Sequence, residues 1–144
     1  MNIKNINGAE EIKQAILYLK REFKSLFERV NIDEYSFKLA ENASVVVAIE
    51  NDKIIGLLAL YLNDNISNIA YITLIGVSLD YQKQGYGSKL LNYAIKLAKS
   101  NDMRYIKLEV DNSNRQAKNF YFKNGFVLDS CSARDSSFLI KSII

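Results

Sequence analysis

"YQKQGYGSKLLNYAIKLAKS", Tyr81–Ser100, carries two glycines, Gly85 and Gly87, directly ahead of a run with helical spacing. One reading is a plain turn that needs a positive φ. The other is a backbone left bare so that an anion can reach the free N–H groups of a helix start. Leu90, Leu91, Ala94, Ile95 and Ala98 recur at steps of three and four, which predicts a helix from about Gly87 to Lys99 with that face in the core. Before the turn, "NIAYITLIGVSL" (Asn68–Leu79) is β-branched and nearly free of polarity, so it reads as a central strand covered on both faces. After the helix, Met103–Val110 alternates Tyr105, Lys107 and Glu109 against Ile106, Leu108 and Val110, a strand pattern. Strand, turn, helix and strand in this order form a crossover, with the two strands parallel.

The rest of the chain adds elements on both sides. "NIKNIN" reads as a short strand. From Gly8 to Val30 a single helical face runs through Ile12, Ala15, Ile16, Leu19, Phe23, Leu26, Phe27 and Val30. A second short helix follows a cap at Asn31 or Asp33. "SVVVAIENDKIIGLLALYLN" reads as two strands around a turn at Asn51-Asp52. "NSNRQAKNFYFKNG" reads as a helix closed by Gly125, and two strands end the chain. The expected fold is a single α/β domain over residues 1–144, with a mixed central sheet of about six to seven strands flanked by helices.

Composition narrows the function. The chain has 144 residues, 49% of them hydrophobic and 24% charged, which suits a globular unit with a real core. Nineteen basic residues against sixteen acidic give a net charge of only +3, which does not point to nucleic acid. There is no histidine, which removes His-based triads and the commonest metal ligand, so no metal is expected. One cysteine, Cys131, fits a reducing compartment and lacks a His to activate it as a nucleophile. No apolar run approaches a membrane span, and "MNIKNINGAEEIK" lacks the apolar core of a signal peptide. The expected location is the cytoplasm.

Two nucleotide-binding patterns fail on spacing. "QKQGYGSK" lacks the four-residue gap and terminal Lys-Ser/Thr of a P-loop, and a dinucleotide fingerprint needs Gly or Ala where Leu90 stands. The chain instead resembles the GNAT superfamily of acyl-CoA-dependent N-acyltransferases. Its hallmark Gln/Arg-x-x-Gly-x-Gly/Ala is matched by Gln82, Lys83, Gln84, Gly85, Tyr86 and Gly87. A second hallmark is matched by Asn114, Ala117, Phe120, Tyr121, Gly125 and Phe126, in the family's order. Families of this type often have Pro where Leu79 stands.

The resemblance implies a splayed V between the central strand and the next parallel strand, into which the pantetheine arm of coenzyme A would slide. Gly76 is the expected bulge site, because Gly tolerates one. Val77 is the candidate for backbone pairing with pantetheine, and Ile75 for an N–H aimed at the thioester oxygen. Gln82 through Ser88 are expected to hold the pyrophosphate, and Asn114 to bond the coenzyme A arm or cap its helix.

Acyl transfer from acetyl-CoA needs a neutral amine, a stabilised oxyanion and a proton for the leaving thiolate. A phenol near pKa 10 can protonate a thiolate whose acid has a pKa of about 8.5, and Tyr121 holds the family position for that acid. It also reads as a half-buried core residue in "FYF". The central strand offers no carboxylate as base. Glu50 is the candidate on the neighbouring strand, with Tyr71 or a water relay as alternatives and Glu109 across the V. Glu28, Asp33, Glu34 and Glu41 are candidates to line an acceptor cleft. The expected activity is N-acetylation of a primary amine by direct attack in a ternary complex, by a monomer or homodimer. The acceptor would be a small molecule, a protein N-terminus or a lysine. A catalytically silent acyl-CoA-binding module is the reading from another class; retention of Tyr121 argues against it.

Overall fold

A computed structural model describes residues 1–144. In chain order the elements are β1 (Asn2–Asn5), α1 (Ala9–Tyr18), a 3₁₀ turn (Lys20–Phe23), α2 (Lys24–Arg29), α3 (Ile32–Asn42), β2 (Ser44–Glu50), β3 (Lys53–Tyr61), β4 (Ile69–Val77), a 3₁₀ turn (Leu79–Tyr81), α4 (Tyr86–Ser100), β5 (Tyr105–Asp111), α5 (Arg115–Lys123), β6 (Val127–Ser132) and β7 (Ser136–Ser142). The seven strands form one mixed sheet in the order β1-β2-β3-β4-β5-β7-β6. Only β4 and β5 are parallel, joined through α4. Asn51 and Asp52 both take positive φ in the β2–β3 turn, as their residue types allow.

The sheet separates two cores. On one face α4 buries Leu90, Leu91, Ala94 and Ala98 against Ala70, Ile72 and Val77, with Tyr121 and Phe126 of the α5 region in the same cluster. Full burial of Leu90 and Leu91 contributes about 1.5–3 kcal/mol each. On the other face α1, the 3₁₀ turn and α3 cover Leu57, Ala59 and Leu74.

The single helix expected over Gly8–Val30 is instead broken at Leu19 into α1, a 3₁₀ turn and α2. Leu19, Phe23 and Leu26 remain buried across the break. A 3₁₀ turn keeps the three-residue spacing, so the apolar pattern runs through it unchanged.

The bulge lies at Thr73 rather than at Gly76. Ala59 pairs with Leu74 and Leu60 with Ile72, which leaves Thr73 without a partner on β3. The parallel pairing of β4 with β5 ends at Ile72 opposite Leu108. Beyond that point the strands part, while β5 stays paired to β7 as far as Asp111. The V therefore opens where the extra residue turns the strand. Gly76 has a different task. A Cβ there would stand 2.7 Å from the Phe23 ring, so glycine lets the 3₁₀ turn lie against β4. Gly76→Ala is expected to cost about 1–3 kcal/mol through overpacking, lowering Tm by roughly 3–10 °C in thermal denaturation. Phe23→Leu in the same chain should recover part of that loss; no recovery would place the strain elsewhere.

Candidate functional site

The open V presents backbone to solvent on the β4 side. The Ser78 N–H donates to the Ile55 carbonyl at 2.7 Å, which marks a hydrogen-bonded antiparallel pair. Alternation along the ladder then makes Val77 opposite Gly56, and Ile75 opposite Leu58, non-hydrogen-bonded pairs. The N–H groups of Ile75 and Val77 consequently face the gap. The Val77 carbonyl accepts from Gln82 Nε2 at 2.9 Å, which ties the turn back onto the strand.

The turn itself uses two left-handed residues, Lys83 at φ 63° and Gly85 at φ 87°. Gly85 is the N-cap of α4 and carries no side chain to cap it. The first backbone bond into the turn comes from the Lys89 N–H to the Gly85 carbonyl. The N–H groups of Tyr86, Gly87 and Ser88 are therefore left without helical partners, at the positive end of the helix dipole.

Helix α5 starts at Asn114, whose Oδ1 accepts from the Ala117 N–H at 3.2 Å. It ends at Gly125 with φ 89°, where the Phe126 N–H returns to the Tyr121 carbonyl at 3.0 Å. These two ends fix Tyr121, the buried position of the helix, edge-on between Phe120 and Phe126 with ring centroids 5.3 and 5.5 Å away. Burial pushes the Tyr121 phenol up to about 12.

Two cavities meet at these residues. The larger, about 730 Å³, runs from Ile75, Gly76 and Val77 past Gln82, Lys83, Gly85, Gly87 and Ser88 to Asn119 and Lys123 of α5. The smaller, about 320 Å³, lies between α2, the bulged half of β4 and the end of β5. Ile75, Asn114, Ala117 and Tyr121 line both.

The smaller cavity holds the acids Glu22, Glu109 and Asp111, the bases Arg29 and Arg134, and Tyr35 and Tyr71. Arg134 pairs with Glu109 at 2.8 Å, and Ser136 donates to the same carboxylate. Burial works to raise the Glu109 carboxyl, but the bonds from Ser136 and Arg134 prevail and hold it below the usual range. Glu22 accepts from the Leu79 N–H at 2.8 Å, tying the α1–α2 connection to the end of β4. Tyr35 and Thr73, the bulge residue, share a hydrogen bond of 2.9 Å. Burial raises the phenols of Tyr35 and Tyr71.

Eleven of the residues marked from sequence for catalysis or cofactor binding come together at these cavities: Tyr71, Ile75, Val77, Gln82, Lys83, Gly85, Gly87, Ser88, Glu109, Asn114 and Tyr121. Three do not enter them. Gln84 Nε2 reaches back to the Asp80 carbonyl at 3.5 Å. The Tyr86 ring packs on Tyr81, and its hydroxyl donates to Glu50 at 3.4 Å. Glu50, the candidate base, is bound 3.0 Å from the Met1 amino group, at the turn end of β2 and with β3 between it and β4. The hydrogen bond from that amino group holds its carboxyl low. That carboxylate is a strand away from β4 and lines neither cavity. Of the expected acceptor acids, Glu28, Asp33, Glu34 and Glu41 lie off the cavity, and Asp33 pairs with Lys13 at 2.8 Å. Sequence reading passed over Glu22 and Arg29, because both look like solvated positions on a continuous helix.

The sequence profile of the "Acetyltransferase (GNAT) family" matches residues 11–126, which takes in the α1–α3 region, the uncapped turn and α5. The chain belongs to this family. It is 37% identical over 67 residues to streptothricin acetyltransferase A of Bacillus subtilis (strain 168), a match spanning 46% of this chain and 39% of that relative. Among solved structures, aminoglycoside 6'-acetyltransferase type Ii superposes with a TM-score of 0.82 at 19% identity, over 100% of this chain and 98% of its own. The PaiA N-acetyltransferase of Thermoplasma acidophilum, solved in complex with coenzyme A, superposes with a TM-score of 0.76 at 20% identity over 99% of both chains. At such identities these two likenesses speak for the GNAT fold.

Proposed function

We propose that this GNAT chain transfers an acetyl group from acetyl-CoA to a primary amine of a small acceptor, by direct attack with both bound. The observation that carries the reading is the meeting of the two cavities at Ile75, Asn114, Ala117 and Tyr121. A donor in one and an acceptor in the other would touch only there.

The residues present fit coenzyme A. The glycine turn offers unpaired N–H groups and no side chain that blocks an anion, and Lys83 and Lys123 add positive charge along the cavity. Val77 N–H, facing the gap, suits an amide of the pantetheine arm. The acetyl-CoA thioester would supply the activated acyl group. Ile75 N–H would donate to its carbonyl oxygen. Tyr121 would hold a proton where the thiolate leaves. Asn114 caps the helix that carries Tyr121 and forms the shared wall. The base is open to Tyr71 or water in the smaller cavity, since the Glu109 carboxylate is taken up by Arg134 and Ser136, which hold its pKa low and make it a weak base. The name of the Bacillus subtilis relative and the cavity of about 320 Å³ both favour a small molecule, or one end of a larger one, as acceptor.

The test is acetyl-CoA turnover, read as thiol release, over a panel of primary amines, with coenzyme A binding measured by calorimetry. Expected is micromolar-range binding and turnover that depends on the amine. Binding without turnover on any amine would favour a silent acyl-CoA-binding module. No binding would end the proposal.

A further inference from the structure

We infer that the acceptor carries an anionic group, a carboxylate or phosphate, as well as its amine, and that Arg29 receives that anion; this rests on the acyltransferase reading above. The smaller cavity contains five charged side chains, and their engagements differ. Arg134 and Glu109 neutralise one another at 2.8 Å. Glu22 accepts a backbone N–H at 2.8 Å. Arg29, in the last turn of α2, has no carboxylate within ion-pair range; its Nε reaches only Ser25 Oγ, at 3.4 Å. The terminal guanidinium nitrogens are thus free at the cavity.

Neighbouring groups make this end a receptor for negative charge. Tyr71 lines the same cavity and its hydroxyl has no protein partner, whereas that of Tyr35 is taken by Thr73. Arg29, Tyr35 and Tyr71 line this one cavity. A planar guanidinium and a free phenol on the wall of one cavity offer several donors of the kind that carboxylate and phosphate oxygens accept.

The opposite polarity lies at the other end. Tyr71 stands level with Lys107 of β5, and Asp111 is four residues further along that strand. That is roughly 13 Å along the sheet. Asp111 has no ion-pair partner and lies beside the shared residue Asn114. An acceptor with its amine toward Asp111 and Tyr121 and its anion toward Arg29 would match both ends. A diamine of the same length would set a second ammonium against the free guanidinium.

Acetyl-CoA turnover would be compared over length-matched ω-amino acids, their primary amides, ω-aminoalkyl phosphates and α,ω-diamines. In the wild type the carboxylates and phosphates should exceed the amides about tenfold in kcat/KM, with diamines lowest. Arg29→Gln should cut the carboxylate-to-amide ratio about tenfold, and Arg29→Lys should restore part of it. An unchanged ratio in Arg29→Gln, or diamines as the best wild-type acceptors, would overturn the inference. A second readout needs no acyl transfer. Glutarate and inorganic phosphate, titrated into protein free of coenzyme A, should shift the NMR amide signals of Ser25–Val30 and Tyr35 in wild type and not in Arg29→Gln. Equal shifts in both, or none in either, would count against the anion site. Arg29-dependent shifts in a protein that turns over no amine would sink the acyltransferase reading and leave the anion site standing. Arg29 is exposed, so the substitutions do not threaten the fold.

Discussion

Tyr121→Phe should lower turnover by about 10²–10⁴-fold while leaving coenzyme A affinity and thermal stability close to wild type. The ring is held edge-on between Phe120 and Phe126, and phenylalanine keeps both contacts. The hydroxyl makes no hydrogen bond within the protein, so its removal leaves no partner stranded. What goes is a proton. The phenol is pushed up to about 12 by burial, which keeps it protonated throughout the working range of pH. It is then a weaker acid than a solvated phenol, about 3.5 units above a thiol in water. A thiolate leaving beside the same buried ring is itself desolvated, which raises its own pKa and narrows that gap. The sign gives a pH test. An acid with a raised pKa stays competent as pH climbs, so the wild-type rate should show no alkaline fall from Tyr121 below about pH 11. Wild-type turnover in Tyr121→Phe, with chemistry shown to limit the rate, would return the residue to the core.

The parts of this fold that were legible in the sequence are those a single chain segment decides. Helix α4 announced itself by five apolar positions at helical spacing, and Gly85 by its place ahead of them; four of the five are buried, Ile95 partly so, and Gly85 takes φ 87°. What stayed hidden depends on a partner segment. The bulge was sought at Gly76 because glycine tolerates one. It lies at Thr73, where the β3 register skips a residue, and nothing in β4 alone records the β3 register. The glycine is explained by Phe23, some fifty positions away, and only once the 3₁₀ turn is known. The same limit applies to the smaller cavity. Glu22 and Arg29 enter it because the helix expected to run past them bends at Leu19. Glu50 reads as lying on a neighbouring strand, yet β3 stands between β2 and β4, and the carboxylate is held by Met1. Local periodicity sets which face a residue takes; how many strands stand between it and the site is fixed by the order of the sheet.

Gly87→Asp should weaken coenzyme A binding by roughly 100-fold without unfolding the protein. A Cβ at position 87 would come no closer than 3.7 Å to its nearest neighbour, the Phe120 ring, which is ordinary contact. Position 87 lies in the first turn of α4, where an acidic side chain suits the helix dipole and any residue but Pro improves on glycine's helix propensity. Tm should therefore hold or rise. The cost falls on the ligand. The carboxylate would point into the larger cavity beside Gly85 and Ser88, among the N–H groups proposed to hold the pyrophosphate. A charge about 5 Å from one phosphate charge costs between about 1 and 3 kcal/mol for effective dielectric constants of 80 to 20, and pyrophosphate brings more than one charge. Gly87→Asn separates charge from bulk, since it has nearly the same shape and no charge. Calorimetry with coenzyme A should give Asn an affinity well above that of Asp, and the gap should shrink as salt is added. If Asn binds as poorly as Asp, bulk rather than charge closes the site. If folded Gly87→Asp binds coenzyme A as the wild type does, the phosphates are held somewhere other than the glycine turn.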